Sequence, residues 1–283
     1  MASVALVTDS TADIPRELRD RLGISMVPLK VMFGSETYLD NIELQPDEFY
    51  QKLTRSQALP TTSQPSPADF YDVFKKLTDE GRSVVSVHLS GAFSGTYQSA
   101  VIAKSMFEDG ADITVIDSCS ASYGYGHIVV AAAELAARGA AAEEVVAEVH
   151  RLRRAMRLYV LVDTLEYLQK GGRIGKAAAL VGSLLNIKPI LTIDDGGVIT
   201  SVDKVRGQKR AMARIAELLE ANLGSRPINL MIALTPGFDE TAKELSALLK
   251  QRFDVRSYLE TAIGPVVGTH AGPGTVGVFV TPA

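Results

Sequence analysis

The sequence has no tryptophan and a single cysteine, Cys119, among 283 residues. One cysteine excludes an intrachain disulfide and points to a reducing compartment. Aromatic residues make up only 6%, too few for a stacking platform that would hold single-stranded nucleic acid. Lys and Arg number 29 against 33 Asp and Glu, so the net charge of −4 offers no field for phosphate backbones, and no nucleic acid partner is expected. The four histidines (His88, His127, His150 and His270) show no metal-ligand spacing with Cys119 or with paired acids, so no metal site is expected. No uncharged apolar run approaches the roughly 18 residues needed to span a bilayer. The opening MASVALVTDS lacks the basic and long apolar segments of a signal peptide. A soluble, cytoplasmic protein is the expectation.

What is present, 46% hydrophobic and 22% charged residues, describes an ordinary globular chain. Its length exceeds what one core usually supports, so two domains are expected, 1–156 and 157–283. In the first half, short apolar strands at 4–7, 84–89 and 113–116 alternate with helical patterns at 67–77, 94–107, 122–138 and 141–155. That alternation predicts an α/β fold, with an N-terminal, mainly parallel sheet sandwiched by helices. In the second half, segments 188–193 and 198–205 flank Asp194-Asp195-Gly196-Gly197, a strong hairpin signal. A C-terminal α/β domain with a mixed sheet is therefore expected. A helix is expected over 176–185, and 263–277, punctuated by glycine and proline, reads as irregular.

In open α/β sheets the carboxyl ends of the strands share the edge where ligands usually bind. Three strand ends here carry hydroxyls and acids: Thr8-Asp9-Ser10-Thr11, Ser90 through Thr96, and Asp117-Ser118-Cys119-Ser120. Ser94-Gly95-Thr96 falls where a helix begins, so free amides and the helix dipole favour an anion, and glycine admits close approach. A carboxylate or phosphate fits that knot, and so does plain N-capping by Ser94. Ala92 stands where a nucleophile elbow needs glycine. In KGGRIGK, Lys170 and Ala177 break the phosphate-binding loop pattern. Thr61-Thr62-Ser63, stiffened by Pro60 and Pro65, would present a donor at low entropic cost. His270 reads equally as functional or structural. Arg173, with Lys170 and Lys176, reads as a solvated basic loop or as a docking patch.

Taken together, TDSTADIP, PTTSQPSP, SGTYQSA, LEYLQKGGRIG and GPVVGTHAGPGTVG, in this order between Val4 and Val280, resemble the DegV family. The resemblance implies a two-domain α/β protein that binds a long-chain fatty acid and has no catalytic group of its own. It would be the lipid-binding subunit of a bacterial fatty acid kinase, presenting the carboxyl group to a separate ATP-dependent kinase subunit. That subunit would form an acyl-phosphate for phospholipid synthesis. By the same resemblance Thr62, Ser94 and Gly95 hold the carboxylate with His270 beside them, and Arg173 couples to the kinase. Gly91 stands where family members often carry a second serine, so no role passes to it. No cofactor beyond the fatty acid is implied. The implied partners are the fatty acid and the kinase subunit, with room for transient contact at a membrane.

Two further readings stay open on the residues alone. A stand-alone hydrolase or transferase would use His270 as base or nucleophile, and Ser94 with nearby amides as an oxyanion site. A small-anion or phosphosugar-binding protein would turn Arg173 and Lys176 toward a phosphate.

Overall fold

The structure, a computed structural model, describes residues 3–107, 110–182 and 187–283. The first half contains β1 (Val4–Asp9), α1 (Arg16–Leu22), β2 (Ser25–Val27), β3 (Lys30–Phe33), β4 (Glu36–Leu39), α2 (Pro46–Arg55), β5 (Thr61–Ser63), α3 (Pro67–Asp79), β6 (Ser83–His88), α4 (Thr96–Ser105), β7 (Ile113–Asp117), α5 (Tyr123–Ala137) and α6 (Ala142–Ala155). The second contains β8 (Arg157–Leu161), α7 (Glu166–Lys170), β9 (Ile187–Ile193), β10 (Ile199–Arg206), α8 (Gln208–Leu223), β11 (Ile228–Leu234), α9 (Asp239–Arg252), β12 (Val255–Ala262), α10 (Pro265–Ala271) and β13 (Val276–Pro282). No helix among the described residues is long and apolar enough to cross a membrane.

Strands β2-β1-β6-β7 form a four-stranded, all-parallel sheet, as the alternation predicts. Strands β10-β9-β8-β13-β11-β12 form a six-stranded sheet in which only β11 and β12 run parallel, the mixed sheet expected of the second half. The DDGG hairpin is present between β9 and β10. Helix α5 lies between the two sheets, and its sequence explains why it can. YGYGHIVVAAAELAA is apolar or small at all but His127 and Glu134, as a helix buried over most of its surface must be. Tyr123, Ile128 and Val129 join a core that also takes Leu6 and Val87 from the parallel sheet and Met231 and Phe279 from the mixed one. Helices α3 and α4 cover the outer face of the first sheet, and α8 and α9 that of the second.

Three differences from the sequence reading matter for the site. A third, antiparallel sheet, β4-β3-β5, forms with α2 a small apolar cluster against Val266 of α10. Segment 263–277 is not irregular throughout, because α10 occupies its centre, with Pro265 in the first turn where a missing N–H costs nothing. Where a helix was expected over 176–185, the chain makes a 3-10 turn at Gly175–Leu180; residues 183–186 lie outside the described residues.

Candidate functional site

Helix α10 is too short to be stable alone, and its conformation is fixed from far along the chain. Gly264 N–H donates to Asp13 Oδ1 at 3.1 Å, and Val266 N–H donates to Asp40 Oδ1 at 3.2 Å, satisfying amides that a helix start leaves free. Both acids are buried. Burial pushes the Asp40 carboxyl up to about 7 and raises Asp13 well above the usual carboxylate range. Tyr50 of α2 adds a hydrogen bond to the Ile263 carbonyl. The last turn of α10 thereby holds His270 against β5, whose Thr62 pairs with Val31 of β3.

Thr62 Oγ1 and His270 Nε2 lie 2.8 Å apart. His270 Nδ1 is buried with no hydrogen-bond partner among the described residues. Burial, and then the nearby Arg173 guanidinium, hold the imidazole down at about 4, so the ring is neutral at pH 7. Arg173 is itself fixed: Nε donates to the Phe93 carbonyl at 3.0 Å and Nη1 to the Gly171 carbonyl at 2.7 Å. It ties the β6–α4 loop to the turn after α7.

The hydroxyl knot divides its work. Ser94 lies before the helix proper, with Gly95 as the N-cap residue, and its Oγ sits 2.9 Å from Thr96 Oγ1 and accepts the Thr96 N–H at 3.3 Å. Ser90 Oγ donates to the Gly197 carbonyl at 2.9 Å, pinning the tip of the β9–β10 hairpin. Thr96 is buried. Gly95 packs on Gln64, whose amide a Cβ at this position would overlap.

Thr62, Ser94, His270 and Arg173 all line one cavity of about 340 Å³. Four of the five residues singled out in the sequence thus share a wall; Gly95 does not line it. The rest of the lining is mainly apolar. Val162, Val160 and Leu158 come from β8 and its end, Leu191 and Ile193 from β9, and Leu29, Phe93 and Ile263 from elsewhere in the chain; Ser122, Thr192 and Thr275 are polar exceptions. Lys176 is paired with Asp194 at 2.5 Å rather than turned toward this cavity. The other strand-end motifs are consumed internally. Asp9 is buried and accepts from Thr11, Tyr125, His88 and the Leu89 amide, and these bonds outweigh burial and hold it below its usual range. No group of three or more His, Cys, Asp or Glu side chains among the described residues could hold a metal ion.

Residues 3–283 match the family described as uncharacterised proteins of the DegV type. The chain belongs to the DegV family. Its fold superimposes on a fatty-acid-binding DegV protein from Thermus thermophilus with a TM-score of 0.93 and 40% identity, covering 99% of this chain and 100% of that one. DegV of Bacillus subtilis, described as a fatty acid binding protein, gives 0.90 and 36% with each chain fully covered. A stearic acid-binding protein from Eubacterium ventriosum gives 0.86 and 28%, covering 100% of this chain and 98% of that one. Fatty acid binding is thus a property of the DegV structures this chain resembles.

Sequence reasoning missed the residues that shape this DegV cavity rather than mark its polar end. Gln64 lies within PTTSQPSP, yet nothing local shows that it lines the wall. Asp13 and Asp40 reach α10 across 251 and 226 residues, and Asp13 also accepts from Ser122 of the cavity lining, separations that no local pattern reveals.

Proposed function

We propose that this protein binds a long-chain fatty acid in the cavity between its halves, 1–156 and 157–283, and presents the carboxylate to a separate ATP-dependent kinase subunit. The observation that carries the reading is one cavity with a mainly apolar lining, in which Thr62, Ser94, Arg173 and His270 all take part. An amphiphile with a single small anionic head matches that division; a phosphosugar, polar along its length, does not. Burying a chain of about 16 carbons, at about 0.8 kcal/mol per CH₂, offers on the order of 10 kcal/mol gross. A hydrogen bond to the carboxylate adds about 1.5–3 kcal/mol. The tail supplies affinity and the head supplies orientation.

At the head, we assign the His270 proton to Nε2, where it is donated to Thr62 Oγ1. The Thr62 hydroxyl hydrogen is then free to donate to the carboxylate. Ser94 Oγ, already accepting the Thr96 amide, donates to the same group, with Gly95 leaving room for Gln64 beside it. Arg173, fixed by two backbone carbonyls, supplies positive charge at the cavity wall and couples the head to the kinase. No ligand atom undergoes chemistry on this chain in this scheme. A hydrolase with His270 as base or nucleophile would need a group to orient the ring, whereas Nε2 is engaged by Thr62 and Nδ1 has no hydrogen-bond partner among the described residues.

Mass spectrometry of the freshly purified protein, native and then denatured with solvent extraction, tests the reading. One non-covalent fatty acid per chain, released on denaturation, is the expected result. A protein that is empty and also ignores added fatty acid would refute it.

A further inference from the structure

The cavity has a built end. Strand side chains alternate between faces, so Thr275, Gly277 and Phe279 form one row along β13 and its approach, and Val162, Val160 and Leu158 form the neighbouring row on the same face of the sheet. The register places Gly277 beside Val160 and Phe279 beside Leu158. Both rows start at the polar end, since Thr275 Oγ1 donates to the Ala271 carbonyl, next to His270. They run away from it for about 13 Å, four residues of strand. Among the described residues, no position of β13 beyond Phe279, and none of β8 before Leu158, lines the cavity.

Phe279 is only 2% exposed, and its ring sits in a slot made by two glycines. A Cβ on Gly124 of α5 would lie 2.7 Å from two ring carbons, and a Cβ on Gly277 would lie 2.9 Å from the ring tip. Real Cβ atoms do not approach that closely, so each glycine is the space the ring occupies. The ring belongs to the core cluster that includes Tyr123 and Ile128.

We propose that Phe279 is the floor of the acyl cavity and sets the longest straight acyl chain the protein accepts, with Gly124 and Gly277 holding the ring in place. This rests on the fatty acid reading above. Replacing Phe279 with alanine removes the ring and opens room for about four methylenes. Adding a methyl at Gly277 pushes the ring, or the methyl itself, into the cavity and shortens it. The two substitutions act in opposite directions on one measured quantity.

The experiment is a competition. Delipidated protein is incubated with an equimolar set of saturated fatty acids from C12 to C22, and the bound mixture is read by mass spectrometry after denaturing extraction. Each accommodated methylene is worth about a fourfold change in affinity. Phe279→Ala is expected to raise the bound C20 to C16 ratio about tenfold or more, and Gly277→Ala to move the preferred length down by about two carbons. Phe279→Leu, which keeps more of the core filled, is expected to move the ratio upward by less and serves if the alanine variant melts too low to assay. Unchanged ratios in folded Phe279 and Gly277 variants that still bind fatty acid would overturn the floor while leaving the fatty acid reading intact. A parent protein that takes up none of the set would overturn both.

Discussion

Asp40→Asn should make the protein more stable at pH 8, by an amount that the burial of Asp40 fixes. The carboxyl is buried, and burial pushes it from 3.8 to about 7. The folded state therefore holds a proton that the unfolded state has lost between those two values, so the folding penalty grows as pH rises through that window. It is absent below 3.8 and complete above 7. A rise of that size costs about 4 kcal/mol once the carboxyl is ionised. Asparagine keeps an oxygen for the Val266 amide, and its NH₂ replaces Oδ2, which has no hydrogen-bond partner among the described residues. The variant thus resembles the protonated acid at every pH. Asp13 also loses a like-charged neighbour, which adds to the gain. Thermal unfolding of parent and variant from pH 4 to 8.5 is the assay. Near pH 4 the two should melt together, with the variant drawing ahead by roughly 7 °C above pH 7.5. If Asp40→Asn melts below the parent at pH 8, or the gap does not widen with pH, burial does not raise the Asp40 carboxyl and it is already ionised in the folded protein near pH 4. The cap on α10 would then be an ion held by amides, and the reasoning from burial fails.

The remaining expectations concern the cavity. Ser94→Ala removes one donor to the carboxylate and should weaken fatty acid binding about tenfold or less, because the tail supplies most of the affinity; acyl-phosphate formation with the kinase subunit should fall further, and abolished binding would contradict the assignment. Arg173→Ala unties Phe93 from Gly171 and should keep fatty acid binding while lowering acyl-phosphate formation; lost binding with normal coupling would place Arg173 in the acyl site instead. Because burial and Arg173 hold His270 at about 4, fatty acid affinity should be flat from pH 6 to 8 in both the parent and His270→Gln. A gain in the parent at pH 6 that His270→Gln abolishes would show a charged imidazole.

The polar end of the site was legible because hydroxyls and glycines at strand ends have few structural excuses, and Thr62, Ser94 and His270 stand in such segments. The chemistry of a loop is written locally. The helix carrying His270 was not legible, because a seven-residue run with Gly264 before it and Gly268 inside it has little propensity of its own. It forms because Asp13 and Asp40 cap it from across the chain, a tertiary cause with no local trace. The apolar walls of the cavity were hidden for a different reason. Strand β8 is buried on both faces, Leu158 and Val160 toward the cavity and Tyr159 and Leu161 toward the α8 side, so its pattern is continuously apolar and names no inner face. The same holds for VGVFV in β13, where Val276 and Val278 enter one core while Gly277 and Phe279 meet the cavity. A cavity is the volume that distant strands and a helix leave unfilled. It depends on a ring at position 279 and a missing side chain at position 124 being neighbours in space, which composition cannot reveal. The head group that a site recognises is therefore readable earlier than the length of tail it admits.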